Sequence, residues 1–208
     1  MIHHAHTQTA MSVAQLRALE RVGLAQGLPL MQRAGLAAAN FAHERLKPDQ
    51  SVLVLVGPGN NGGDALVAAA ELVALGHRVT VLMPEQAAHA PDDARAALAQ
   101  WQALGRCVET HLPNKRPEFV IDGLFGIGLS RPLDQPWQTL IDQVNAYQAP
   151  TLALDIPSGL HADTGQALGR PLKADWTLSF IAPNLACAMT QVDGVCGQCF
   201  VEDLGMKD

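Results

Sequence analysis

Apolar positions along this chain follow two spacings that take turns. Between residues 12 and 46 they recur at helical intervals in two blocks, Ser12–Val22 and Leu28–Leu46, separated by Gly23, Gly27 and Pro29. The spacing predicts two helices, the first with Ser12 as its N-cap. From Ser51 onward, short unbroken apolar runs alternate with Ala-rich amphipathic stretches. The runs predict strands near 52–56, 78–83, 119–122, 151–154, 176–180 and 196–201, with a further short strand near 107–110. The amphipathic stretches predict helices over 64–75, 91–104 and 134–146. An apolar run without polar alternation fits a strand covered on both faces, as in a parallel sheet. Gly76 and Gly105 stand where helix C-caps belong, and Pro91 and Asp92 suit a helix start. The expected architecture is therefore an α/β three-layer sandwich, a mainly parallel sheet between helices, with two extra N-terminal helices. We expect one domain over residues 1–208, with residues 1–10 as a loose N-terminal arm and the loop-rich stretch 155–178 lying over one end of the sheet.

Composition narrows the classes of function. At 208 residues and 48% apolar content the chain is long enough for a real core. The longest uncharged apolar run in its middle, Ala65–Ala70, is far too short for a bilayer, so no membrane partner is expected. Met1–Ala10 lacks the layout of a signal peptide, and a cytoplasmic protein is expected. A net charge of −6 without a basic stripe argues against nucleic acid or an anionic membrane surface. The four cysteines, Cys107, Cys187, Cys196 and Cys199, suit a reducing compartment. Cys196 and Cys199 form a C-x-x-C pair in a strand-like terminal stretch, without a second pair to complete a zinc site. They are read as reduced thiols in or near a terminal strand. His3, His4 and His6 are assigned to the loose arm rather than to a metal.

The unusual chemistry lies at strand ends. In open α/β sheets ligands bind at the carboxyl ends of the strands. The strand at 52–56 runs into Gly57–Asp64, that at 119–122 into Asp122–Pro132, and that at 151–154 into Asp155–Gly159. The strand at 78–83, by contrast, ends in Pro84, Glu85 and Gln86. Three polar, glycine-bearing loops should thus meet at one cleft. Gly57, Gly59 and Gly62 spell G-x-G-x-x-G, a weak signal alone. A dinucleotide oxidoreductase would need an acid at the end of the second strand. Glu85, the nearest, comes late and follows Pro84. Asp64 reads either as chemistry or as a helix N-cap, and Asp122 and Asp155 either as cleft carboxylates or as loop caps. Asn61 with the two aspartates would make an oxygen-rich cage for a hard cation. Gly126 and Gly128 allow close backbone approach, and Arg131 suits a phosphate. Ser158 lacks the context of a nucleophile: no G-x-S-x-G surrounds it, and the only following histidine, His161, is three residues away.

The three segments GPGNNGGDA, VIDGLFGIGLSRPL and LALDIPSGLHADTG, in that order and spacing, resemble the signature loops of the NAD(P)H-hydrate epimerase family, the YjeF N-terminal domain. Leu30–Gly35 resembles that family's N-terminal helix segment, and the resemblance covers about residues 11–182. It implies a Rossmann-like αβα sandwich, usually dimeric, that interconverts the R and S forms of hydrated NADH and NADPH. That activity repairs damaged nucleotide and supplies the S form to a dehydratase. By resemblance, Asn60, Asn61, Gly62, Gly63 and Asp64 contact the hydrated nucleotide from the first loop. Gly126, Ile127, Gly128, Leu129, Ser130, Arg131 and Pro132 hold it from the second. Asp155 binds the reacting ring and is the candidate acid–base group, while Asn61, Asp122 and Ser158 bind one K+ per subunit. No redox cofactor is implied. Two positions depart from the family: Ala65 replaces a usual Gly, and Asn184 stands where many members have Lys, which puts one nucleotide contact in doubt. Two other classes compete, an NAD(P)-dependent oxidoreductase and a binding protein that kept the fold without the activity.

Overall fold

The computed structural model describes residues 2–5, 8–84, 90–189 and 194–206. Seven strands form one sheet: β1 (His3–His4), β2 (Ser51–Val56), β3 (Arg78–Leu82), β4 (Phe119–Gly123), β5 (Thr151–Leu154), β6 (Trp176–Phe180) and β7 (Gln198–Glu202). Their order across the sheet is β1-β7-β6-β5-β4-β2-β3. All neighbours are parallel except β1, which runs antiparallel to β7. Five α-helices accompany them: α1 (Val13–Ala25), α2 (Leu30–His43), α3 (Asn60–Ala74), α4 (Asp92–Ala103) and α5 (Gln135–Tyr147).

The period of two along β2 explains the layers. Val52, Val54 and Val56 pack with residues of α2 and α3, such as Phe41 and Leu66, on one face. Leu53 and Leu55 pack with Trp137, Ile141 and Val144 of α5 on the other. Both sets are essentially sealed from water, and each such side chain contributes about 1.5–3 kcal/mol on burial. α1 opens with a capping box: Gln15 donates its backbone N–H to the Ser12 hydroxyl, and its side chain returns to the Ser12 N–H. Its entry is tied down by the Val13 N–H, which donates to Asp163 Oδ1 at 2.7 Å.

Three expectations are corrected. The N-terminal stretch is not a loose arm throughout, because His3 and His4 pair with Val201 and Phe200, and Ala5 is buried. Residues 107–110 make only an isolated bridge, Leu82 to Glu109, rather than a strand. Helix α3 begins at Asn60, four residues before the expected start, with the extended Gly59 as its N-cap. Asp64 therefore sits a full turn inside the helix, and the N-cap reading of that residue is removed. Glu85 and His6 lie outside the described residues.

Candidate active site

The sheet order makes a crevice where sequence reasoning placed one. From β2 the chain crosses to β3 on one side, while β4 pairs with β2 on the other. The carboxyl ends of β2 and β4 flank this switch point. Register brings Leu55 beside Asp122 and Asp122 beside Ala153, so the loops leaving β2, β4 and β5 emerge together. They touch. The Gly57 N–H donates to the Gly123 carbonyl at 3.1 Å, and a Cβ at Gly57 would fall 1.7 Å from the Leu124 carbonyl oxygen. A Cβ at Gly126 would lie 2.5 Å from Asp155 Oδ2 and 3.2 Å from Asn61 Cγ. Glycine at position 57 is a requirement of space against backbone, whereas at position 126 a side chain would push the Asp155 carboxylate aside. The resulting cleft encloses about 850 Å³, within the range of small-molecule sites.

Beneath its floor lies a fixed carboxylate. Asp122 is wholly buried. Its Oδ1 accepts from the Ser158 hydroxyl at 2.7 Å and the Leu124 N–H at 3.1 Å, and its Oδ2 accepts from the Ser158 N–H at 2.8 Å. Burial raises its pKa to about 6, against the opposing pull of these donors. The Ser158 hydroxyl also accepts from the Phe125 N–H at 2.9 Å. Ser158 thus welds the β5 loop to the β4 loop, and as a buried donor to a carboxylate it is not a nucleophile.

Asp155, unlike Asp122, reaches the cleft. Its backbone is left-handed, with φ of 67°, an uncommon state for a residue bearing a Cβ. Surrounding bonds impose that state. The Asp155 N–H donates to the Leu178 carbonyl at 2.8 Å, and its carbonyl accepts from Ser179 Oγ at 3.0 Å and Asn184 Nδ2 at 2.9 Å. Over-determined strain of this kind clusters at functional sites. The half-buried side chain accepts from the Ile127 N–H at 3.2 Å through Oδ2. Burial raises its pKa to about 7; the Ile127 N–H opposes this, and the nearby Glu20 and Cys187 charges add to it. Asp64, half-buried in the same cleft, is held well above the usual carboxylate range by burial and by the like charges of Asp155 and Glu20.

The expected residues divide. Asn60, Asn61, Asp64, the run Gly126–Arg131 and Asp155 line the cleft. Gly62 and Gly63 do not, and instead border a separate cavity of about 360 Å³. A Cβ on Gly62 would strike the Gly57 carbonyl oxygen at 2.1 Å, and one on Gly63 would strike Met31 Cε at 2.5 Å, so both serve packing. Pro132 is exposed and off the lining, while Asp122 and Ser158 lie below it. Asn184, in the position of the family lysine, is sealed inside and supports the Asp155 carbonyl. Sequence reasoning missed one wall entirely: Arg17, Glu20, Arg21 and Leu24 of α1 face the cleft. Their spacing of i, i+3, i+4 and i+7 marks a single helical face. Burial raises the Glu20 pKa, with Arg17 and Arg21 pulling it back.

Residues 27–186 match the family model described as the YjeF-related protein N-terminus. An NAD(P)H-hydrate epimerase of Bordetella pertussis (strain Tohama I) is 54% identical over 198 residues, covering 93% of this chain and 87% of its own. An NAD(P)H-hydrate epimerase of Limosilactobacillus fermentum is 34% identical, covering 95% of this chain and 97% of its own. A bifunctional NAD(P)H-hydrate repair enzyme of Leishmania braziliensis is 38% identical over 86% of this chain, which spans 33% of that longer protein. The crystal structure of the yeast protein ynu0 superposes with a TM-score of 0.77 at 20% identity, over 86% of this chain and 83% of that one. The matched family model and these relatives together show that the chain belongs to the YjeF N-terminal family, that of the NAD(P)H-hydrate epimerases.

Proposed function

We propose that this protein is an isomerase that interconverts the R and S forms of hydrated NADH and NADPH, with Asp155 as its acid–base group. The observation that carries the role of Asp155 is its position: a carboxyl with a pKa of about 7 facing a cleft formed by three strand-end loops. The carbon to be inverted bears a hydroxyl and the ring nitrogen. Inversion needs either loss of hydroxide to an iminium or ring opening to an aldehyde and reclosure. Both routes move a proton at that hydroxyl, and a group titrating near neutrality gives and takes a proton with least mismatch. Neither route calls for a redox cofactor. The backbone N–H groups of Gly128, Ser130 and Arg131 and the guanidinium groups of Arg17, Arg21 and Arg131 offer donors for the nucleotide's phosphates.

The donor set below the cleft also fits a hard monovalent cation. Both Asn61 amide atoms are buried without a hydrogen-bond partner. The Asp122 carboxylate is buried, its listeners all neutral N–H and O–H groups. Asn61, Asp122 and Ser158 would hold K+, which supplies the positive charge that this carboxylate otherwise lacks. We further propose a homodimer working in the cytoplasm beside an S-specific dehydratase. Reduced thiols suit that compartment, and the relatives that carry both repair activities in one chain support the partnership.

The test supplies an R/S mixture of hydrated NADPH with an S-specific dehydratase. This protein should let the R half be consumed. Asp155→Asn should slow that consumption by about 10²–10⁴-fold with the circular dichroism spectrum unchanged. A retained rate in the variant removes Asp155 from the acid–base role, and no consumption with the native chain removes the epimerase reading.

A further inference from the structure

Behind the β5 loop that carries Asp155, the fold gathers three sulfurs that the sequence keeps apart. Cys196 and Cys199 form the C-x-x-C turn that enters and begins β7, and Cys187 comes from the 3₁₀ turn Ala186–Ala188. Their Sγ atoms all lie within 4.8 Å of one another, and each residue is at most 6% exposed. From the sequence only the C-x-x-C pair was visible, two ligands short of a zinc site. The chain's return between β6 and β7 brings in the third.

We propose that Cys187, Cys196 and Cys199 form a three-thiolate site for one thiophilic cation of the Zn2+ or Cu+ class. Metal–sulfur bonds of about 2.3 Å place sulfurs about 3.8–4.0 Å apart around a tetrahedral or trigonal ion. The observed cluster therefore needs little contraction to bind one. Softness selects the same ions, because thiolates favour Cu+ and Zn2+ over Mg2+ or Ca2+. The scaffold holds the turn in the required shape. Thr177 Oγ donates to the Cys196 carbonyl at 2.7 Å, and Gly197 adopts φ of 58° with its Cα against the Asp175 carbonyl, where a Cβ would fall 2.1 Å away. Cys199 is in register with Thr177 on β6. Cys187 is held by its N–H, which donates to Asn184 Oδ1 at 3.1 Å, while Ser179 Oγ lies 3.7 Å from its sulfur. The cluster sits among Ala5, Ile156, Leu160 and Val201; three sulfurs complete the shell of a trigonal ion such as Cu+, and a tetrahedral one such as Zn2+ would add a water. A purely structural packing role would explain three small buried residues. It would not require that all three be cysteines with their sulfurs within 4.8 Å of one another. Binding a divalent ion exchanges three S–H bonds for three metal–sulfur bonds and releases three protons to solvent, with no oxidant or reductant involved.

The site is tested on the full chain, reduced, treated with chelator and kept anaerobic. Cd2+ serves as the spectroscopic stand-in for Zn2+, with Cu+ and Mg2+ in parallel. Titration should raise a sulfur-to-Cd2+ charge-transfer band that saturates at one ion per chain. Cu+ should displace the Cd2+, Cd2+ should in turn displace Zn2+ bound beforehand, and Mg2+ should compete with neither. Cys199→Ala and Cys196→Ala should each weaken Cd2+ binding at least tenfold, while Cys107→Ser, an exposed cysteine outside the cluster, should leave it unchanged. Should either alanine variant fail to fold, mass mapping of alkylated thiols in the native chain replaces it. Zn2+ should then slow the labelling of Cys187, Cys196 and Cys199 together and leave Cys107 unaffected. The proposal is overturned by the absence of a charge-transfer band at excess Cd2+, by a band undiminished in the folded alanine variants, or by binding abolished through His3→Ala and His4→Ala instead.

Discussion

Gly126→Ala is the sharpest probe of the cleft, because its effect follows from one distance. The added Cβ would sit 2.5 Å from Asp155 Oδ2, where a carbon–oxygen contact needs about 3.3 Å. The carboxylate must retreat by roughly 0.8 Å, or the loop must lift and lengthen the bond from the Ile127 N–H. Gly126 is not in the left-handed region, so the backbone accepts alanine. Overpacking at this half-buried position should cost only about 1 kcal/mol of stability. A misplacement of about 1 Å at a reacting group is worth about 10²-fold, so kcat should fall by about 10–100-fold. Loss of the Ile127 N–H, which holds the Asp155 pKa down, should also move the kcat inflection to higher pH. The assay follows R-form consumption through the coupled dehydratase, with the urea midpoint measured on the same preparation. A stable variant with the native kcat and pH profile would refute the placement of Asp155 at the reacting carbon.

Two further expectations concern charge. Glu20→Gln removes a like charge that raises the Asp155 pKa, so the activity inflection near pH 7 should shift towards acid, with the fold intact. An unmoved inflection would disconnect α1 from the chemistry. Asp122 has its pKa raised from 3.8 to about 6, so the folded state binds more protons than the unfolded state between those values. Stability should therefore fall as pH rises through that window, by about 3 kcal/mol from this group. KCl should reduce the fall relative to choline chloride at equal ionic strength, read from urea midpoints between pH 4 and 7. Identical curves in the two salts would argue against K+ beside Asp122.

The elements that were legible in the sequence owe their clarity to burial. Unbroken runs such as Val52–Val56 have one reading, and the strand ends at Asp122 and Asp155 pointed to the cleft because a carboxylate there needs a reason. What was hidden depended on tertiary contact. Asn60, Asn61, Gly62 and Gly63 look like a loop by propensity, yet packing of Gly62 on Gly57 and of Gly63 on Met31 draws them into α3. Arg17, Glu20 and Arg21 drew no reading at all, since nothing local marks a helical face as lining a cleft. The β1 pairing of His3 and His4 rests on two residues, too few to carry a period.

Helix α1 has one more implication. It ends at Ala25, whereas the family model begins its match at residue 27. The wall bearing Arg17, Glu20 and Arg21 thus precedes the stretch matched by the family model, while the Asp155 side lies within it. Changes confined to residues 13–25 therefore reshape and recharge one side of the cleft while leaving the three strand-end loops as they are.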